Sequence, residues 1–271
     1  MPSIPWLRAS GLAVAVLCLP ACDGASDTVE LRFGINPETL TRPRTAKSSP
    51  ARRTALDAEP VFPTFRSDDG IRFKVESALA TLVDVRLELP SGRQCSDYEE
   101  QLAPLMTCTD AAEGQPGTLT VQGPIDVDWM KATTLPDWTL RLPRGTYRRI
   151  DARLGQNTPA LPSFSLEASF TWEDQRNVLK LAFPSTAALR FEPRSPFDID
   201  GASDDAIVVG GLDLDSWLDG VPVAGCLASG DLTLDGTTLR LETGKGACEG
   251  AAERVKHNIE NSSKLLLASP R

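Results

Sequence analysis

A chain of 271 residues with 41% hydrophobic and 24% charged side chains is long enough for one generous core or two small ones. Its formal net charge of −9 argues against a nucleic-acid partner and against a broad electrostatic hold on a membrane, because both need clustered Lys and Arg. Aromatic side chains make up only 6%, which leaves little to line the cleft of a glycosidase.

The first 22 residues have the pattern of a processing signal. Arg8 supplies a positive start and Gly11 to Leu19 an uncharged apolar run. That run is far shorter than the ~20 residues a spanning helix needs. Leu19-Pro20-Ala21-Cys22 resembles the lipobox of bacterial lipoproteins, which implies cleavage before Cys22 and diacylglyceryl on its sulfur, with further acylation (palmitate, for example) on the freed amino group. Pro20 departs from the usual small residue at its position. Asp23 resembles the inner-membrane retention signal of some Gram-negative bacteria. The alternative is an ordinary secretory signal cut after Ala21, with Cys22 unmodified. Cleavage there removes Arg8 as the only charge, so the formal net moves from −9 to −10.

Cys18 falls inside the signal, and Cys95, Cys108, Cys226 and Cys248 remain beyond Cys22. An even number in an exported chain points to disulfides. Three pairings are open, and proximity favours Cys95 with Cys108 and Cys226 with Cys248. A metal site is the weaker alternative, because no pair has C-x-x-C spacing.

Residues 22–67 are expected to form a tether. Pro37, Pro43, Pro50, Pro60 and Pro63 interrupt a polar run, and Arg42, Arg44, Lys47, Arg52 and Arg53 make it locally basic. The basic run serves either as a plain spacer or as an attraction to anionic headgroups. Within it, Val29 to Phe33 alternates as a short strand does.

From Ile71 the apolar period is two. Ile71, Phe73 and Val75 alternate with polar residues, and Val83, Val85, Leu87 and Leu89 share one face of a further strand ending at Pro90-Ser91-Gly92. Further strands are predicted at 119–121, 138–142, 147–154, 164–172, 178–183, 187–191, 206–212, 232–234 and 239–241. Asp235-Gly236 is the strongest hairpin signal. From Gly250 to Leu267 alternation stops, and Val255, Ile259 and Leu266 fit a helical stripe. The expected fold is mainly β: an antiparallel β-sandwich over 68–249 with a C-terminal helix over 250–271.

The stretches Ile125-Asp126-Val127-Asp128-Trp129, Pro143 to Ile150 and Leu212 to Leu218, with the strand running into Gly123, resemble an uncharacterised family of bacterial envelope lipoproteins with a transthyretin-like β-sandwich. The similarity covers roughly residues 70–220. It implies a fold and an envelope location and carries over no catalytic residue.

No catalytic constellation emerges. His257, the sole histidine, lies in Arg254-Val255-Lys256-His257-Asn258 on the expected helix, where an exposed residue is the simpler reading. Gly210-Gly211 lacks the later glycine and helix of a phosphate loop. Asp198, Asp200, Asp204 and Asp205 crowd one loop, with Asp213, Asp215 and Asp219 beyond it, and offer oxygen ligands for Ca²⁺. The simpler reading gives Asp to turns, Asp213 to a strand face and Asp215 to the cap of a short helix. Of the tryptophans, Trp172 is expected in the core and Trp129 over a loop, while Trp138 and Trp217 complete a conceivable carbohydrate platform.

The expectation is therefore a non-enzymatic protein without a cofactor, lipid-anchored to the inner or outer membrane of a bacterial envelope, presenting its sandwich to an envelope protein or serving a surface structural role, and binding no nucleic acid. Alternatives are a glycan or small-ligand module assisted by Ca²⁺, and a hydrolase working through paired carboxylates.

Overall fold

The computed structural model describes residues 28–35, 62–102, 105–136, 140–156, 158, 160–193, 196–199 and 206–268. The strands in chain order begin with β1 (Thr28–Gly34), β2 (Thr64–Arg66), β3 (Arg72–Glu88), β4 (Met106–Thr109), β5 (Thr118–Asp128) and β6 (Thr133–Leu135). Then come β7 (Leu140–Pro143), β8 (Thr146–Tyr147), β9 (Arg149–Leu154), β10 (Phe164–Trp172), β11 (Gln175–Phe183) and β12 (Ala188–Phe191). β13 (Phe197–Asp198), β14 (Ile207–Leu212), β15 (Leu234–Asp235), β16 (Thr238–Leu239) and β17 (Ser263–Ala268) complete the strands, with α1 (Val223–Ser229) and α2 (Ala251–Glu260). The fold is mainly β and predominantly antiparallel, a sandwich-like stack as the alternating pattern predicts.

The spine is β3, which is 17 residues long and pairs with β10 and β9 on one side and β2 and β5 on the other. So long a strand does not read as one unit, because two irregularities reset its period. Against β10, Glu167 and Ala168 pair with Ser77 and Val75, so Glu76 is an extra residue. Against β9, Leu154 and Arg153 pair with Leu82 and Asp84, so Val83 is another. Each bulge shifts the inward phase by one: Phe73 and Val75, then Ala78, Ala80 and Leu82, then Val85 and Leu87 are all buried. The sequence expectation that Val83 shares a face with Val85 is corrected here; Leu82 is buried and Val83 only half-buried. Gly123 of β5 faces this kink, where a Cβ would lie 2.8 Å from the Val83 carbonyl oxygen and nearer still to that of Leu82.

The inner face of this large sheet has two covers. Over one half lies a four-stranded sheet in the order β17-β14-β1-β7, with β1 parallel to β14. Its Phe33 ring sits 5.8 Å from Trp129 and 5.7 Å from Phe191. Gly210 on β14 makes that possible, since a Cβ there would stand 2.7 Å from the Phe33 ring. Over the other half lies the segment 214–260 with α1 and α2. Trp217 is fully buried there, 5.5 Å from Phe65 and 6.1 Å from Phe164, and its indole N–H donates to Ser262 Oγ at 3.0 Å.

Several expectations change. The tether over 22–67 does not hold at the two stretches that are described: Thr28–Gly34 is the strand that the alternation of Val29 to Phe33 suggests, lying inside a sheet, and Thr64–Arg66 pairs with β3. Val29, Leu31 and Phe33 point into the core and are almost completely buried, which is why this stretch cannot be solvated spacer. The rest of 36–61 lies outside the described residues, as do 1–27. The C-terminal helix ends at Glu260, and Ser263–Ala268 pairs with β14 as an edge strand, so 250–271 is not one helix. Val255 and Ile259 do form the buried helical stripe, whereas Leu266 stands on the strand, exposed. The hairpin is present with its two-residue turn at Gly236-Thr237, one position later than expected. Both disulfides link the neighbours in sequence, Cys95 to Cys108 and Cys226 to Cys248.

At the first bulge the Glu76 carboxyl is held below its ordinary range, chiefly by the Ser169 hydroxyl; burial opposes this, and Arg176 and Lys74 add to the depression. A depressed folded-state value stabilises the fold above the unfolded value near 4.5 and is lost as pH falls through the folded value. Ser169→Ala is therefore expected to lower stability by about 1 kcal/mol at pH 7. Urea titrations across pH should show that deficit shrinking below pH ~4.5 as Glu76 protonates in both proteins.

Candidate functional site

Five large hydrophobic side chains stand exposed among the described residues, and three of them meet. Leu79 of β3, Leu135 of β6 and Leu161 before β10 are 45%, 67% and 54% exposed and line one groove of about 490 Å³ on the outer face of the large sheet. Register explains the meeting. Residues directly opposite in a sheet share a face, and Leu79 pairs with Asp128 and Ser165, Thr81 with Asp126, Asp126 with Leu135 and Asp128 with Thr133. The floor is thus Leu79, Thr81, Asp126 and Asp128; Leu161-Pro162 and Thr133 to Leu135 form the walls.

The carboxylates of the groove are tied into its framework. Thr81 Oγ1 donates to Asp126 Oδ1 at 2.6 Å. Asp128 Oδ1 accepts from the backbone N–H of Met130 at 3.1 Å and of Lys131 at 3.0 Å, an Asx-type turn that carries the chain from β5 to β6. Its Oδ2 meets Lys131 Nζ at 2.6 Å, and that hydrogen bond raises the exposed ammonium above its ordinary value. The groove therefore combines three aliphatic side chains with two acidic groups at fixed positions. With both carboxylates already held, it suits an aliphatic side chain better than it suits proton transfer.

Beyond the second bulge the same outer face turns wholly polar. Asp84, Arg86 and Glu88 of β3 stand opposite Arg153, Asp151 and Arg149 of β9, an opposite-charge pair at every step. Asp84 is buried and held by Arg153 and, at 3.1 Å, by Arg86; Glu88 is held by Arg148 at 3.2 Å and Arg149 at 3.1 Å. The carboxylates lie low and the half-exposed guanidiniums cover them. This ladder keeps one face of the sheet solvated and in register.

The residues singled out in the sequence are scattered. Asp198 is exposed on β13, paired in register with Thr146, while Asp200, Asp204 and Asp205 lie outside the described residues. Asp213 does not occupy a strand face; its Oδ1 accepts from the N–H of Asp215 at 3.3 Å and caps the turn at Leu214–Ser216, the role expected of Asp215. Among the described residues no three His, Cys, Asp or Glu side chains gather as a metal would need. His257 is exposed on α2 beside Asn261. Trp129 is wholly buried rather than covering a loop, and Trp172 is half-buried at a strand end. Trp138 and Cys22 lie outside the described residues. No helix among those described is long and apolar enough to cross a membrane.

Sequence reasoning missed the groove. Leu79 sits between Ala78 and Ala80 in an apparently uniform apolar run, and only the bulge at Glu76 turns it outward. Leu135-Pro136 and Leu161-Pro162, each a leucine before a proline and off any strand period, were the available signal. Compared with models of protein families, with curated proteins and with solved structures, the chain finds no match in any of the three.

Proposed function

We propose that this chain is a lipid-anchored bacterial envelope protein, non-enzymatic, whose β-sandwich holds a segment of another envelope protein in the groove of Leu79, Leu135 and Leu161. The observation that carries the binding role is the convergence of three exposed leucines, which removes about 25 cal/mol for each Å² of apolar surface an occupant covers. The fitting occupant is an extended segment with aliphatic side chains, because the exposed lining is apolar and the floor's carboxylates are already engaged, Asp126 by Thr81 and Asp128 by Lys131. The anchoring role rests on Leu19-Pro20-Ala21-Cys22 and on the even cysteine count beyond it.

The test places a photo-crosslinking residue at Thr133 in cells and purifies the adduct. One defined protein should be captured, bind the purified domain directly, and lose both capture and at least tenfold in affinity on Leu161→Asp. Capture indifferent to Leu161→Asp rejects the groove. A crosslinked second copy of this chain, or an apolar small molecule retained in place of a protein, replaces the proposed occupant.

A further inference from the structure

On the lipid-anchor reading, Cys22 and the fold are nearly contiguous, and this limits how far the Thr28 end of the domain can stand from the bilayer. Thr28 stands only six positions after Cys22, and there β1 is already paired with Pro143 of β7. At ~3.6 Å per residue that length reaches at most about 22 Å. β1 then runs away from this point to Ile35, whose N–H bonds the Trp129 carbonyl at 3.0 Å, directly after Asp128 of the groove. Seven residues of strand at ~3.3 Å each put these two ends roughly 23 Å apart. The Thr28 end is also where β7 turns into β9: Arg141 Nη1 lies 3.3 Å from Thr28 Oγ1, and Arg148 N–H bonds the Glu88 carbonyl at the end of β3.

We infer that the domain rides directly on the bilayer with this end down, Arg141, Arg148 and the Gly145 turn at the headgroups, and with the groove turned away from the lipid. The inference rests on the lipid-anchor reading of Cys22. Covalent length sets the orientation and not charge, since Asp198 shares this end with the arginines. It therefore holds on a zwitterionic surface. β1 acts as a short strut between the anchor and the binding face, in place of the long spacer that the proline-rich stretch implies.

The lipidated full chain is reconstituted in phosphatidylcholine vesicles, with a fluorophore on a single introduced cysteine, in R148C or in L161C. Both positions are more than half exposed, so neither change disturbs the core. Headgroup-nitroxide lipids should quench the label at 148 at least threefold more than the label at 161. Equal quenching, or stronger quenching at 161, with diacylglyceryl on Cys22 shown by mass spectrometry overturns the orientation and leaves the anchor standing. A Cys22 without lipid overturns both.

Discussion

A chain that begins at residue 68 is expected to show no cooperative unfolding. The cut looks harmless in the sequence, where it falls at the end of a proline-rich stretch, but it deletes β1, an inner strand of the four-stranded sheet, and β2 with its buried Phe65. Val29, Leu31, Phe33 and Ile35 are 0%, 2%, 1% and 7% exposed. Four such side chains at ~2 kcal/mol each make roughly 8 kcal/mol of apolar burial, set against a whole-domain stability of about 5–15 kcal/mol. The deletion also strips hydrogen-bond partners from β14 and β7 at once. Urea titrations of unlipidated 22–271 and 68–271, followed by tryptophan fluorescence, compare the two. A single steep transition is expected only from the longer chain; matching midpoints would show that β1 and β2 are both dispensable.

Trp217→Ala is expected to cost about 4 kcal/mol, in the middle of the range for emptying an aromatic site. The indole is completely buried where the helical cap meets the large sheet, between Phe65 and Phe164, and it satisfies Ser262. Truncation leaves a cavity bounded by three different elements, which cannot collapse together. Trp217→Phe separates the two contributions. It keeps a ring in place and loses the hydrogen bond, so a loss of about 1–2 kcal/mol is expected. If the two variants melt alike, packing at this site carries less than its burial implies.

What was legible in the sequence is whatever depends on local periodicity. Phe164–Trp172 stands where its alternation puts it, because β10 follows one phase from end to end and turns at Glu173-Asp174 into β11. β3 was legible only in pieces, since a bulge is a relation between two strands and leaves no mark in one of them. β1 was recognisable as a possible strand, but its burial depends on Leu140–Pro143 and Ile207–Gly211, more than a hundred residues away. Ser263–Ala268 carries too few polar residues to alternate, so its edge position beside β14 had no local signature. α1 was missed for the same reason as the groove: Val223 and Cys226 are buried by what folds over them, and seven residues give a helical period little room. The disulfides were readable because counting and proximity need no tertiary information.

The small sheet gathers strands from both ends of the described chain, β1 from the beginning and β17 from the close, with β14 between them. In a chain delivered N-terminus first, β1 at Thr28 precedes its inner partner at Ile207 by 179 positions (207 less 28). β10 and β11, joined by a tight turn, can zip together as soon as they appear, whereas β1 has to wait with its apolar face uncovered. Loop closure over such separations makes this the slow step, and a chain stalled before residue 207 would present β1 as an open template to other chains. β1 is thus the first strand made and among the last to be sheltered.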